Sequence, residues 1–272
     1  MNLIKLKVSC GSNPFSFVYS FGSVNSNSST KYYALDNNVL RICKFDENWN
    51  FLNQTAVVAF YPKFMLTINK NNSNLIFITT NQGISKVNED MKEINKTAII
   101  LGYQGLYYNN STDHILVSMT SFTRIDVYSL SLDLINSITV PYSSYNMVEY
   151  DGLLFVSSNI SYVMVLKNET YIYSFATRCS IIRTLVIDQY GVIAVNCFGN
   201  YLALYNLNGT YTGTTFYSPV QYIYSFGFDA LKNLILITKN GLYAMSPEKA
   251  NVTNENVTKL NFQDNCYSAQ SE

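Results

Sequence analysis

Four tyrosines recur at one place in successive stretches of the chain: Tyr61, Tyr103, Tyr142 and Tyr217. Arg178 holds that place in a fifth stretch, and Arg183 follows it closely. Gln104, Tyr145, Gln221 and Tyr222 lie beside them. A phenol has a flat apolar face and a hydrogen-bonding tip, which suits sugars and peptides. A guanidinium suits a carboxylate. These residues are the candidate binding set for a protein or glycan ligand. Alternatively, the recurrent tyrosine packs under a crossover and reports only the repeat.

Catalytic chemistry finds little support. His114 is the single histidine and sits in a turn, while Asp126 and Asp188 are isolated acids. No nucleophile, base and orienting group can be assembled. Lys239-Asn240-Gly241 and Asn208-Gly209 are turn sequences, not phosphate loops. No Cys/His spacing suggests zinc, so neither metal nor cofactor is expected. The five cysteines are Cys10, Cys43, Cys179, Cys197 and Cys266. Cys10 and Cys266 are the candidate disulfide, fastening the two ends of the chain. Cys197 is expected opposite Ile182, leaving Cys179 out of register for a bond. Cys43 reads as a small buried hydrophobe.

The elements that must position these residues are strands. Dense apolar segments begin at residues 32, 76, 115, 154, 192 and 234, a period of about 40. Each follows a moderately apolar strand and a polar turn, and each is followed by two more strands, the last the least apolar. With strands lettered A to D, B is the dense one and D the expected outer edge. Tyr, Ile, Val, Phe and Thr favour the strands, and Gly and Asn the turns. The expected fold is all-β, one domain over 1–272: a six-bladed β-propeller of four-stranded antiparallel blades. Blades are expected at about 15–57, 58–99, 100–140, 141–176, 177–217 and 218–262. The first has a long Ser/Asn-rich A–B turn over 22–30. Either 257–262 or the strand within 1–10 closes the ring.

The repeat resembles the blades of six-bladed propellers of the NHL-repeat type. The likeness rests on period, strand order and the acid or amide in the A–B turn, as in Asp229-Ala-Leu-Lys-Asn233. The single Trp49 follows no strand C as a Trp-Asp pair, unlike WD40 blades. Enzymes of six-bladed form are expected to hold a metal or acidic set in the channel, and no such set stands at matching positions here.

In a propeller the D–A and B–C connections share one face, called upper below. The A–B and C–D turns share the lower face. The candidate binding residues fall in or beside D–A connections. Eleven Asn-x-Ser/Thr sequons are present. Asn27, Asn71, Asn109 and Asn110 fall in A–B turns, and Asn168, Asn208 and Asn251 in C–D turns. Asn53, Asn95 and Asn256 lie near the start of strand D; only Asn159 lies in a B–C turn. Glycans at the first ten would coat the lower face and rim and leave the upper face open. Alternatively, asparagine simply favours turns.

Composition narrows the partners. The chain is 48% hydrophobic with 18 basic and 18 acidic residues, so a nucleic-acid partner is not expected. No apolar run is long enough for a transmembrane helix, and the start lacks the apolar core of a signal peptide. The first expectation is a non-catalytic recognition or scaffold propeller, an extracellular or cell-surface glycoprotein domain. The second is a hydrolase or lyase with a channel metal. The third is a structural subunit in a homo-assembly joined through its terminal strands.

Overall fold

A computed structural model describes residues 3–5, 9–10, 13–14, 18–26, 29–36, 40–56, 62–70, 73–90, 92–97, 100–197, 201–217, 223–228, 234–238 and 241–245. Every regular element among them is a strand. Five four-stranded antiparallel blades are each built from consecutive strands. Blade one is Val18–Ser26, Ser29–Asp36, Arg41–Phe45 and Phe51–Ala56; blade two is Phe64–Lys70, Ser73–Thr80, Gly83–Val87 and Glu93–Lys96. Blade three is Tyr103–Asn109, His114–Met119, Arg124–Tyr128 and Leu134–Thr139; blade four is Ser144–Tyr150, Leu153–Ser158, Tyr162–Lys167 and Thr170–Ala176. Blade five is Ile182–Ile187, Ile193–Cys197, Tyr201–Tyr205 and Tyr211–Tyr217.

A further four-stranded sheet is composite. Ile223–Phe228, Leu234–Thr238 and Gly241–Met245 take Leu3–Lys5 as their outer strand, with Ile4 opposite Ala244. The expected count of six blades is corrected accordingly: five blades are built from consecutive strands, and of the two expected closing strands the N-terminal one completes the last sheet. The alternative outer strand at 257–262 lies outside the described residues.

Strand B is dense in branched and aromatic residues because a blade is covered on both faces by its neighbours. An apolar cluster fills each junction. Tyr33 and Ile42 pack with Met65 and Ile76 between blades one and two, and Phe77 and Ile84 with Tyr103 and Leu106 between two and three. Leu116 packs with Met147, Phe155 with Leu185, and Leu202 with Phe226 at the next three junctions. Tyr32 and Ala34 pack with Ile235 and Ile237 of the composite sheet, which closes the ring. Outer strands have no neighbour beyond them, and Glu93–Lys96 is exposed throughout.

Blade one differs from expectation. Within the stretch 22–30, residues 22–26 and 29–30 are strand rather than part of a long turn, with Gly22 opposite Tyr33 and Ser26 opposite Ser29. Tertiary contact overrides the poor strand propensity of Ser and Asn. Val24 is buried in the first junction, and Thr67 of blade two donates to the Ser23 carbonyl at 3.1 Å.

Buried polar side chains join the blades where apolar contact cannot fix register. Thr79 Oγ1 donates to the Gln104 carbonyl of the next blade at 2.5 Å, and Ser118 Oγ to the Tyr145 carbonyl at 2.5 Å. The Leu185 amide donates to Asn146 Oδ1 at 3.2 Å, and Asn196 Nδ2 to the Ile223 carbonyl at 3.0 Å. The backbones approach closely here. A Cβ on Gly105 would lie 2.2 Å from the Tyr145 carbonyl oxygen, so the position requires glycine.

Ser118 also accepts from the Gly105 amide at 2.6 Å, so Ser118→Ala strands buried groups on two blades. The expected cost is about 1–3 kcal/mol, read as a lower midpoint in urea unfolding. A variant as stable as the parent would contradict this role.

Candidate recognition face

The upper ends of the inner strands carry a recurrent irregularity. Strand A bulges opposite the end of strand B in blades one, three, four and five and in the composite sheet. The shifts fall between Val18 and Ser20, Tyr103 and Leu106, Ser144 and Met147, Ile182 and Thr184, and Ile223 and Ser225. Strand A of blade two runs without a bulge against strand B, and the Lys63 amide continues that ladder by donating to the Thr79 carbonyl at 2.8 Å. A bulge adds an unpaired residue and bends the strand. The added positions include Tyr19, Gln104, Tyr145, Arg183 and Tyr224, all on innermost strands at the upper end. Three of the expected binding residues, Gln104, Tyr145 and Arg183, are thus brought to equivalent places around the channel mouth. Lys63 precedes the matching place in blade two.

The recurrent tyrosines do not form one ring. Tyr103 is fully buried within blade three. Its hydroxyl lies 3.2 Å from Asp126 and bonds Tyr128, and burial raises its pKa well above the usual phenol value. Its assignment to binding is therefore corrected: it is a core residue. Tyr142 is half-exposed and stacks on Tyr162 with ring centroids 4.6 Å apart. The backbone of Tyr217 ends the outer strand of blade five, while Tyr61, Gln221 and Tyr222 lie outside the described residues. Arg178 is exposed but sits away from the innermost strands. Its amide donates to the Tyr205 hydroxyl at 2.7 Å, and its guanidinium lies 4.1 Å over the Tyr211 ring.

Charge divides between the two faces, a feature that composition conceals. All four arginines, Arg41, Arg124, Arg178 and Arg183, lie on upper-face connections or upper strand ends. The acids there among the described residues, Asp36 and Asp126, are buried. Asp36 is paired with Arg41 at 3.2 Å and Asp126 with Arg124 at 2.9 Å. Every other described Asp and Glu lies in an A–B or C–D turn or the strand end beside it. Lower-face lysines offset part of that charge: Lys31 meets Glu89 at 3.1 Å, and Lys70 pairs with Asp113. His114 also belongs to the lower face, with Nδ1 3.0 Å from Glu169 of blade four.

Lys63 stands apart from these pairs. It is half-buried, burial lowers its pKa, and no carboxylate among the described residues pairs with it. Apolar side chains also crowd the upper loops. Leu101 is 67% exposed and Phe122 47%, and Ile160 and Ile181 on the upper loops of blades four and five are exposed as well. Phe122 packs 5.2 Å from the Arg124 guanidinium.

The rim carries a different pattern. Leu52, Ile94, Ile135 and Ile172 are the added residues at outer-strand bulges in blades one to four, and all are exposed. Such bulges break the regular edge that another strand would pair with. Sequence reading missed both sets of bulges, because a bulge changes the pairing of residues but not their order.

Of the sequons, Asn53, Asn95, Asn110, Asn168 and Asn208 are exposed, whereas Asn109 is half-buried and donates to Glu169 at 3.3 Å. Asn27, Asn71, Asn251 and Asn256 lie outside the described residues, as does Cys266. Cys179 and Cys197 form a disulfide with Cα atoms 4.9 Å apart, against expectation. Cys197 does pair with Ile182, but the connection before strand A carries Cys179 back to it. Cys43 is also disulfide-bonded rather than a plain apolar core residue, with its partner outside the described side chains. Among the described residues, no group of three or more His, Cys, Asp or Glu could hold a metal.

No family model and no curated protein matches the chain. Solved structures match its fold. A streptogramin B lyase is similar with TM-score 0.67 at 11% identity, covering 89% of this chain and 96% of that one. BBS1N, solved in complex with ARL6DN, is similar with TM-score 0.66 at 11% identity, covering 92% and 97%. The computationally designed Ika8 protein is similar with TM-score 0.55 at 10% identity, covering 84% and 70%. At these identities the likeness shows the β-propeller fold and leaves family and activity unassigned.

Removing the Cys179–Cys197 bond, which spans 18 residues, by Cys179→Ser/Cys197→Ser is expected to cost about 3 kcal/mol. Unfolding in urea without reductant measures it. A double variant of parental stability would show that the bond does not form.

Proposed function

We propose that this propeller is a recognition module that binds a protein partner on its upper face. The observation that carries this is the group of large apolar side chains on upper loops of blades three to five, Leu101, Phe122, Ile160 and Ile181. Their exposure does nothing for the ring's own core, and exposed apolar clusters rimmed by polar groups mark interaction sites. BBS1N, of similar fold, was solved with ARL6DN, which supports a protein as the class of partner.

The proposal extends to an extracellular or cell-surface setting. The Cys179–Cys197 disulfide supports an oxidising compartment, and the exposed sequons would place sugar on the lower face and rim. An NHL-like affiliation is proposed on the repeat period and the A–B turn residues.

Photo-crosslinking tests the face directly. Benzoylphenylalanine replaces Phe122 in one version of the full chain and the rim residue Ile135 in another, each expressed in its native cells. A discrete crosslinked product from position 122 and none from 135 is expected. Equal capture at 135, or silence at 122, would overturn the proposal.

A further inference from the structure

We propose that the partner segment seated on the upper face is acidic, with carboxylates taken at the channel mouth by Lys63 and Arg183. This rests on the upper-face recognition proposed above and names the chemistry of the partner.

Charge complementarity carries the inference. The chain is neutral as a whole, yet its described acids are withdrawn from this face or buried against arginine. What remains exposed there is cationic or neutral. Lys63 and Arg183 belong to blades two and five, separated by two blades, and Gln104 and Tyr145 occupy the inner positions between them. Tyr145 is half-buried and its hydroxyl can donate to a carboxylate without competing for the cations, whereas the Gln104 side chain is buried. Lys63 is half-buried and lacks a carboxylate partner among the described residues, so an incoming anion would offset a desolvation already incurred.

Arg178 widens the cationic sector outward. Stacking on Tyr211 restricts the guanidinium plane, and the Tyr205 hydroxyl fixes the backbone beneath it, so little freedom is lost on binding. Phe122 and Ile160 would meet apolar residues flanking the acids. A nucleic acid fits less well. The cations stand on opposite sides of the ring, in blades two and five, rather than along a stripe that could track a phosphate backbone, and the lower face presents acids.

The test is fluorescence anisotropy of the full chain with fluorescein-labelled hexaglutamate, at low and at physiological salt. Lys63→Gln/Arg183→Gln is expected to weaken binding about tenfold or more, the loss of two charge-assisted contacts at a partly hydrated face. Lys31→Gln/Lys70→Gln on the lower face should change it less than about twofold. Lys63→Arg/Arg183→Lys should retain most of the affinity, which separates charge from misfolding. Absence of binding by the parent, equal loss in both glutamine pairs, or tighter binding of a thymidine oligonucleotide of equal charge would each overturn the proposal. If the crosslink at position 122 forms and hexaglutamate does not bind, the acidic chemistry fails and the upper-face reading stands. If hexaglutamate binds at Lys63 and Arg183 while position 122 stays silent, the anion site stands and the protein-partner reading of the upper loops fails.

Discussion

The ring depends on a hydrogen bond between a buried polar side chain of one blade and the backbone of the next. Thr79, Ser118 and Asn196 stand near the ends of B strands and donate to the carbonyls of Gln104, Tyr145 and Ile223. Apolar packing holds each junction together but is non-directional and would tolerate sliding. A buried carbonyl left without a donor costs far more than it returns when paired, so these contacts fix one relative position of neighbouring blades. They also meet the inner strands where those strands bulge. The contact that sets the ring is therefore tied to the geometry that sets the channel mouth.

That link joins fold to function. Residues added at the bulges stand on the innermost strands, and their identities differ from blade to blade: Gln104, Tyr145 and Arg183, with Lys63 before the unbulged strand of blade two. The repeat supplies equivalent places, and the sequence fills them unequally. The lower face shows the opposite design. Its turns pair acids with lysines and with His114 across blades, as in Glu89 with Lys31 and Glu169 with His114, so its charges serve the scaffold. Upper-face arginines divide between the two roles. Arg41 and Arg124 neutralise buried aspartates, while Arg178 is held over an aromatic ring and exposed.

Much of this was legible in the residues. The spacing of Ile76-Phe77-Ile78, Ile115-Leu116-Val117 and Leu154-Phe155-Val156 reports strands buried on both faces, and the structure places each as the second strand of its blade. The outer strand Phe51–Ala56 and the opposition of Cys197 and Ile182 also follow from turn position alone. What escaped depends on the third dimension. Ser and Asn at 22–30 read as turn because local propensity is blind to Thr67 across the junction. Tyr103 looked equivalent to Tyr142, yet one is sealed beneath Tyr128 and the other stacks at the surface. The face-by-face division of charge was present in the strand assignment but invisible in a net charge of zero.

The central claim is that recognition belongs to the face from which exposed acids are excluded. Hydrogen–deuterium exchange of the full chain, with and without its crosslinked partner, tests it most directly. Protection is predicted in the upper connections at 100–102, 120–123, 141–143, 159–161 and 177–181, with the lower turns unchanged. Protection confined to the lower turns at 46–50, 88–90, 131–133 and 168–170 would contradict it.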